Sequence, residues 1–186
     1  MTGGPPAGRE LAVSGPRAPL RVRPAEPADA VALGALHVRA WQEAYRGVMP
    51  DAYLDALSAA QRAELWARAL AEPGPGTELL VATRGGAALG FAAVGPARRP
   101  PPGPRELYAL NVDPPSYRTG VGAALLRAFE DWARGQGAAS AVLWVVRENA
   151  RARAFYQRRG WHPDGAEARS EVLGAVVTEV CYRRAL

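Results

Sequence analysis

The segment Val112-Asp-Pro-Pro-Ser-Tyr-Arg-Thr-Gly-Val-Gly-Ala123 carries the most specific chemistry in the chain. Gly120 and Gly122 remove side chains where an irregular stretch turns into an amphipathic run, so a ligand can approach the backbone. The N–H groups that open a helix have no carbonyl partner, and the positive end of the helix dipole lies behind them. Together they form a cradle for an anion, and above all for a pyrophosphate. The segment lacks the Gly-Lys-Ser/Thr of a P-loop and the spacing of the G-x-G-x-x-G dinucleotide fingerprint. Other reactive types lie on either side of it. Glu106 is a carboxylate able to accept a proton, Tyr156 is a phenol able to donate one, and Asn149 offers an amide. His37, Trp41 and Tyr45 are four residues apart and so share one helical face.

The elements that must position these groups are legible. Leu20-Arg-Val-Arg23 alternates as a short strand. Pro27 suits a first helical position, and Val31, Leu33, Leu36, Val38, Trp41 and Ala44 carry a helix to about Tyr45. A second helical region runs from about Asp51 to Leu70, kinked near Ser58 and ended by Pro73-Gly-Pro-Gly76. Glu78 to Thr83 and Ala87 to Val94 read as strands joined by the Arg84-Gly-Gly86 turn. A Pro- and Arg-rich loop covers Gly95 to Arg105, and Leu107 to Val112 is a further strand. Gly122 to about Gln136 is a strong helix with Leu125, Leu126, Phe129, Trp132 and Ala133 on one face. Ala141 to Val146 is an apolar strand of the kind buried on both faces. Asn149 caps a short helix that ends at Gly160, and the remainder supplies a hairpin. The order is that of an α/β layer fold around one central sheet.

Composition narrows the classes. The chain has 186 residues, enough for one domain with a sizeable core, and its hydrophobic and charged fractions of 48% and 22% are those of a globular protein. Residues 1–19, rich in Gly and Pro, are expected to form a flexible tail, with one domain over 20–186. A single cysteine, Cys181, excludes a disulfide framework and a cysteine zinc site, and two histidines are too few for a His-rich metal cluster. No metal is expected. No segment approaches a membrane span and no signal peptide is visible, so the expected location is the cytoplasm and no membrane partner is expected. The net charge is +5, and all 23 basic residues are arginine. The absence of Lys and Ile points to a GC-rich, bacterial-type coding bias. The charge favours anionic ligands in general. No nucleic-acid motif accompanies it, so nucleic acid is a disfavoured partner.

The cradle has a context. Val112-x-Pro114 precedes it, and Asn149, Phe155-Tyr156 and Gly160-Trp161 follow. In this pattern the chain resembles the GCN5-related N-acetyltransferase (GNAT) superfamily, whose members bind acetyl-CoA. The resemblance covers about Leu20 to Leu186 and is strongest from Glu106 to Trp161. His37-Val-Arg-Ala-Trp-Gln-Glu-Ala-Tyr-Arg-Gly47 also looks like the front half of many such enzymes. One departure is visible: the Gln/Arg that opens the family cradle falls on Tyr117, with Arg118 one place later.

The resemblance implies a single-domain α/β fold whose mixed, twisted sheet is split between two parallel strands, with helices on both faces. It implies an N-acetyltransferase that uses acetyl-CoA and a primary amine of a small molecule or protein, by direct attack. Arg118, Thr119, Gly120, Val121, Gly122 and Ala123 would hold the pyrophosphate. Backbone groups of Leu110 and Val112 would pair with pantetheine, as would Asn149. Tyr156 would protonate the departing thiolate beside the cofactor, and Glu106 would act as base, directly or through water. His37, Trp41, Tyr45 and Trp144 would line the acceptor pocket, with His37 a second base candidate. The base matters for a lysine-type amine, neutral only about once in 2,500 molecules at pH 7, a cost of roughly 4.6 kcal/mol. An α-amine costs only about 1–1.4 kcal/mol. The alternative from another class is a CoA-binding sensor without chemistry. Dimers are common in that family, but nothing in the sequence specifies an interface.

Overall fold

The computed structural model describes residues 18–99, 103–172 and 175–186. The expected tail therefore lies almost wholly outside the described residues. Seven strands form one sheet: β1 (Arg21–Pro24), β2 (Glu78–Arg84), β3 (Ala87–Pro96), β4 (Arg105–Val112), β5 (Ser140–Val146), β6 (His162–Val172) and β7 (Ala175–Ala185). Their order is β1-β2-β3-β4-β5-β7-β6. Only β4 and β5 are parallel; the other pairs are antiparallel.

The helices are α1 (Ala30–Tyr45), α2 (Asp51–Asp55), α3 (Ala59–Ala71), α4 (Val121–Gly135) and α5 (Ala150–Gln157). Alternation along the strands sends side chains to two faces. Leu80, Ala82, Ala92, Val94, Leu107, Leu143 and Val145 pack against Val121, Leu125, Leu126 and Phe129 of α4 and Tyr156 of α5. Leu79, Val81 and Phe91 pack on the other face against Leu33, Leu36 and Ala40 of α1 and Trp66 of α3. A third cluster sets Met49 and Leu54 against Val146 of β5 and Val177 of β7, with Trp41 and Tyr45 against it. The α1 side of the sheet is therefore continuous from β2 to β7.

Local choices explain the element ends. The kink expected near Ser58 is a full break, because the Ser58 hydroxyl accepts the Gln61 N–H at 3.3 Å and starts α3 anew. A 3-10 turn at Pro27–Asp29 precedes α1, so that helix starts later than its Pro suggests. Gly34 sits where α1 crosses α3, and a Cβ there would lie 2.5 Å from the Ala63 backbone nitrogen. The buried Glu130 of α4 accepts from the Trp161 indole at 3.0 Å and pairs with Arg184 at 3.2 Å, tying α4 to the end of β7. Among the described residues no helix is long and apolar enough to cross a membrane.

Candidate active site

Helix α4 begins without a side-chain cap. Its N-cap is Gly120 at φ 91°, whereas α5 is capped by Asn149, whose Oδ1 accepts the Ala152 N–H at 3.0 Å. The first α4 amide with a helical acceptor is that of Ala124, bonded to the Gly120 carbonyl at 3.0 Å. The amides of Val121, Gly122 and Ala123 therefore face out of the helix end, where an anion is favoured. The two glycines serve different ends. A Cβ on Gly120 would meet nothing within 4 Å, so its requirement is the positive φ. A Cβ on Gly122 would press on the Phe155 ring at 3.3 Å, so its requirement is the close approach of α5. Arg118 also has a positive φ, 61°, and both Arg118 and Thr119 are exposed beside the cradle. The Tyr117 ring lies under the Arg151 guanidinium at 4.4 Å.

The sheet opens directly beside this helix end. Strands β4 and β5 pair only at Arg105–Ala141, Glu106–Val142 and Leu107–Leu143. Above Leu107 they part. The cause lies one residue on, where the register of β3 against β4 shifts and Tyr108 becomes the extra residue of a bulge. Its hydroxyl donates to the Pro96 carbonyl at 2.6 Å, which holds the bulge to β3. Beyond it, the Asp113 N–H bonds the Leu89 carbonyl at 2.9 Å, so the alternation turns Asn111 and Ala109 to β3. The main-chain polar groups of Leu110 and Val112 then face the gap. A fork between Arg39 of α1 and Asp113, at 2.8 and 3.0 Å, pins the loop between β4 and α4. Sequence reading missed that fork, because 74 residues separate its partners.

The other expected residues fall on the two sides of this gap. Tyr156 comes from the α4–α5 side; it is 7% exposed. Burial first, and then the Tyr45 phenol, push its hydroxyl well above the usual phenol range. Tyr45 comes from α1 on the opposite side, and it is near enough for its charge to be felt by Tyr156. Tyr45 is itself raised, by burial and then by Glu179, while the Asn149 side chain acts the other way. Asn149, Tyr156 and Tyr45 are thus brought together. Trp144 lies on the α1 side, half-buried, under the Arg99 guanidinium at 4.2 Å.

Two expected roles meet a different setting. His37 does share a face with Trp41 and Tyr45, with ring centroids 5.1 and 5.0 Å apart in series. It is, however, only 6% exposed and also packs on Trp66 and Phe91, inside the core under β3 rather than at the gap. Burial, and then Arg62, lower its pKa to about 4, so it is neutral at physiological pH. Glu106 is 1% exposed, at the closed end of the gap. One of its carboxylate oxygens accepts from the Arg98 guanidinium at 2.6 and 3.1 Å, and the other accepts from the Arg98 backbone N–H at 2.7 Å. Three donors from one residue make Glu106 the anchor of the loop between β3 and β4. Cys181 is buried, and its thiol is pushed up to about 12 by burial first and Asp164 next, so it stays protonated. No group of three or more potential metal ligands occurs among the described residues.

Comparison with known proteins agrees with this architecture. Residues 38–161 match the Acetyltransferase (GNAT) family. A relative named as a probable N-acetyltransferase of Mycobacterium tuberculosis is 30% identical, across 88% of this chain and 92% of its own. Among solved structures, the PaiA N-acetyltransferase of Thermoplasma acidophilum in complex with coenzyme A superposes with a TM-score of 0.71 at 17% identity, over 90% of this chain and 99% of that one. YncA of Salmonella typhimurium, solved with acetyl-CoA, gives 0.65 at 19% identity, over 89% and 93%. With a sheet split after three rungs, an uncapped helix beside the split and these relatives, the chain belongs to the GNAT acetyltransferase family and is an acyltransferase.

Proposed function

We propose that this protein moves the acetyl group of acetyl-CoA to a primary amine. One observation carries the reading: β4 and β5 part immediately beside the uncapped start of α4, so a strand-like gap and an anion cradle share one edge. Acetyl-CoA has that shape, a pyrophosphate followed by an arm with two amides. Structural neighbours that hold coenzyme A or acetyl-CoA support the choice of donor. The amides of Val121, Gly122 and Ala123, with Arg118 and Thr119 flanking, take the pyrophosphate. Leu110 and Val112 offer backbone groups to the arm, and Asn149, whose Oδ1 caps α5, offers its amide nitrogen.

When bound, acetyl-CoA supplies an activated acyl group and a thiolate leaving group. The acceptor approaches from the α1 side, where Trp41, Tyr45 and Trp144 stand. Holding both reactants across one gap supplies the proximity term, worth up to about 7–11 kcal/mol for well-oriented partners. Tyr156 stands on the opposite side with its proton firmly held, and it donates that proton to the leaving sulfur. Glu106 serves here by fixing the Arg98 loop, and His37 by filling the core.

Calorimetric titration of acetyl-CoA tests the reading. Micromolar binding by the wild-type protein, weakened at least tenfold in Gly120→Val, is the expected result. No binding at millimolar acetyl-CoA refutes it.

A further inference from the structure

Amine acetylation also needs an acceptor for the ammonium proton, and among the described residues two carboxylates of the strands themselves stand on the α1 side near the gap. Glu106 is closed over by Arg98. The other is Glu179 of β7, which lies opposite Val146 of β5 and so on the same side as Trp144. Its side chain is 18% exposed. Oε2 is held by the Ser170 hydroxyl of β6 at 2.6 Å and by Arg99 Nη2 at 2.9 Å. No donor among the described residues reaches Oε1. Arg99 is itself immobilised, because its guanidinium stacks on Trp144 and donates to Ser170 at 2.9 Å. One oxygen is thus clamped and the other is left open, on the side of the sheet where Tyr45 packs against the cluster of Met49, Leu54, Val146 and Val177, close enough for the carboxylate to raise the Tyr45 phenol.

We propose that Glu179 is the catalytic base, taking the acceptor amine's proton on Oε1, with Arg99 and Ser170 as positioning residues. The inference rests on the acetyltransferase reading above. The step balances: Glu179 takes one proton from the ammonium and passes it to solvent, the neutral nitrogen bonds the acyl carbon, the carbon–sulfur bond breaks as Tyr156 gives its proton to sulfur, the second proton leaves nitrogen on Glu179, and Tyr156 regains a proton from solvent. The titratable and charged groups facing Glu179 are Arg99 from the β3–β4 loop, Tyr45 from α1 and Cys181 along β7. Ser170 faces it from β6.

The test uses two probe amines, Nα-acetyl-lysine amide and alanine amide, with side-chain and α-amine basicities of about 10.4 and about 7.7–8.0. Acetyl-CoA binding is measured first, by calorimetry, in the wild type and Glu179→Gln. Equal binding is expected. Glu179→Gln should then lower kcat/KM for the lysine probe about 10²-fold or more at pH 7 and flatten its acid limb, with a smaller loss for alanine amide. Arg99→Gln and Ser170→Ala should lower kcat with the KM for acetyl-CoA unchanged. Glu106→Gln, run in parallel, should keep the wild-type pH profile. A Glu179→Gln enzyme with the wild-type profile overturns the inference and leaves the acetyltransferase reading standing. A wild-type protein that does not bind acetyl-CoA, or binds it and acetylates neither probe, overturns the amine reading and this inference with it.

Discussion

Tyr156 and His37 show how burial assigns work to single residues. Both are withdrawn from water, and in both the neutral form is favoured. For Tyr156 this keeps the proton available at every ordinary pH. Tyr156→Phe should therefore lower kcat about 10²-fold, leave acetyl-CoA affinity within twofold, and remove no break from the pH–rate profile below pH 9. For His37 the consequence is stability. Its folded pKa of about 4 lies below the unfolded 6.5, so the unfolded chain binds the proton first as pH falls. The native state loses about 1.4 kcal/mol per pH unit between the two values, about 3 kcal/mol in all, and nothing from this group above pH 7.5. Urea unfolding at pH 7.5 and pH 5 should show about 2 kcal/mol of that loss in the wild type and a smaller one in His37→Met. An equal loss in both would assign the effect to other groups.

Helices and strands are where sequence reading served best, and where its limits have a physical cause. The 3.6-residue period of α4, the apolar run of β5 and the cap at Asn149 are local signals, and each element lies where they put it, whereas Ser58 reads in sequence only as a kink. The cradle was legible too, since Gly120 and Gly122 are two residues apart at a helix start. The bulge at Tyr108 was not, because it depends on the register of β4 against β3, which no local pattern encodes. For the same reason Glu106 and Glu179 could not be ranked. What separates them is the company of Arg98 and Arg99 in a loop that composition marks only as Pro-rich. Gly34 gives the prediction at this scale. A Cβ there meets Ala63 and Ala59 backbone atoms at 2.5 and 2.6 Å, and backbone cannot turn aside as a side chain can. Gly34→Ala should force α1 from α3 and destabilise the protein by about 1–3 kcal/mol, outweighing its gain in helix propensity. A rise in the thermal midpoint would refute the close crossing.

For the whole molecule, charge is the broadest property. A net +5 carried only by arginine gives a positive field to a protein whose proposed donor is a polyanion. Raising salt from about 50 to about 500 mM shortens the screening length from above 10 Å to below 5 Å, so acetyl-CoA affinity should fall several-fold. Affinity unchanged by salt would place recognition in the backbone cradle alone. Having no lysine, the chain also offers no lysine side chain to its own chemistry, and labelled lysine in a protein-acceptor assay belongs wholly to the acceptor.

The short seam between β4 and β5 has one more consequence. By position β4 is the middle of seven strands, yet above Leu107 it has a ladder on one flank only. In solvent deuterium, alternate amides of this one strand should behave as if they belonged to different proteins. Ala109 and Asn111, bonded to β3, should retain hydrogen on the timescale of the core, while Leu110 and Val112 should exchange like a sheet's border. Acetyl-CoA laid along that flank should slow the second pair and leave the first unchanged.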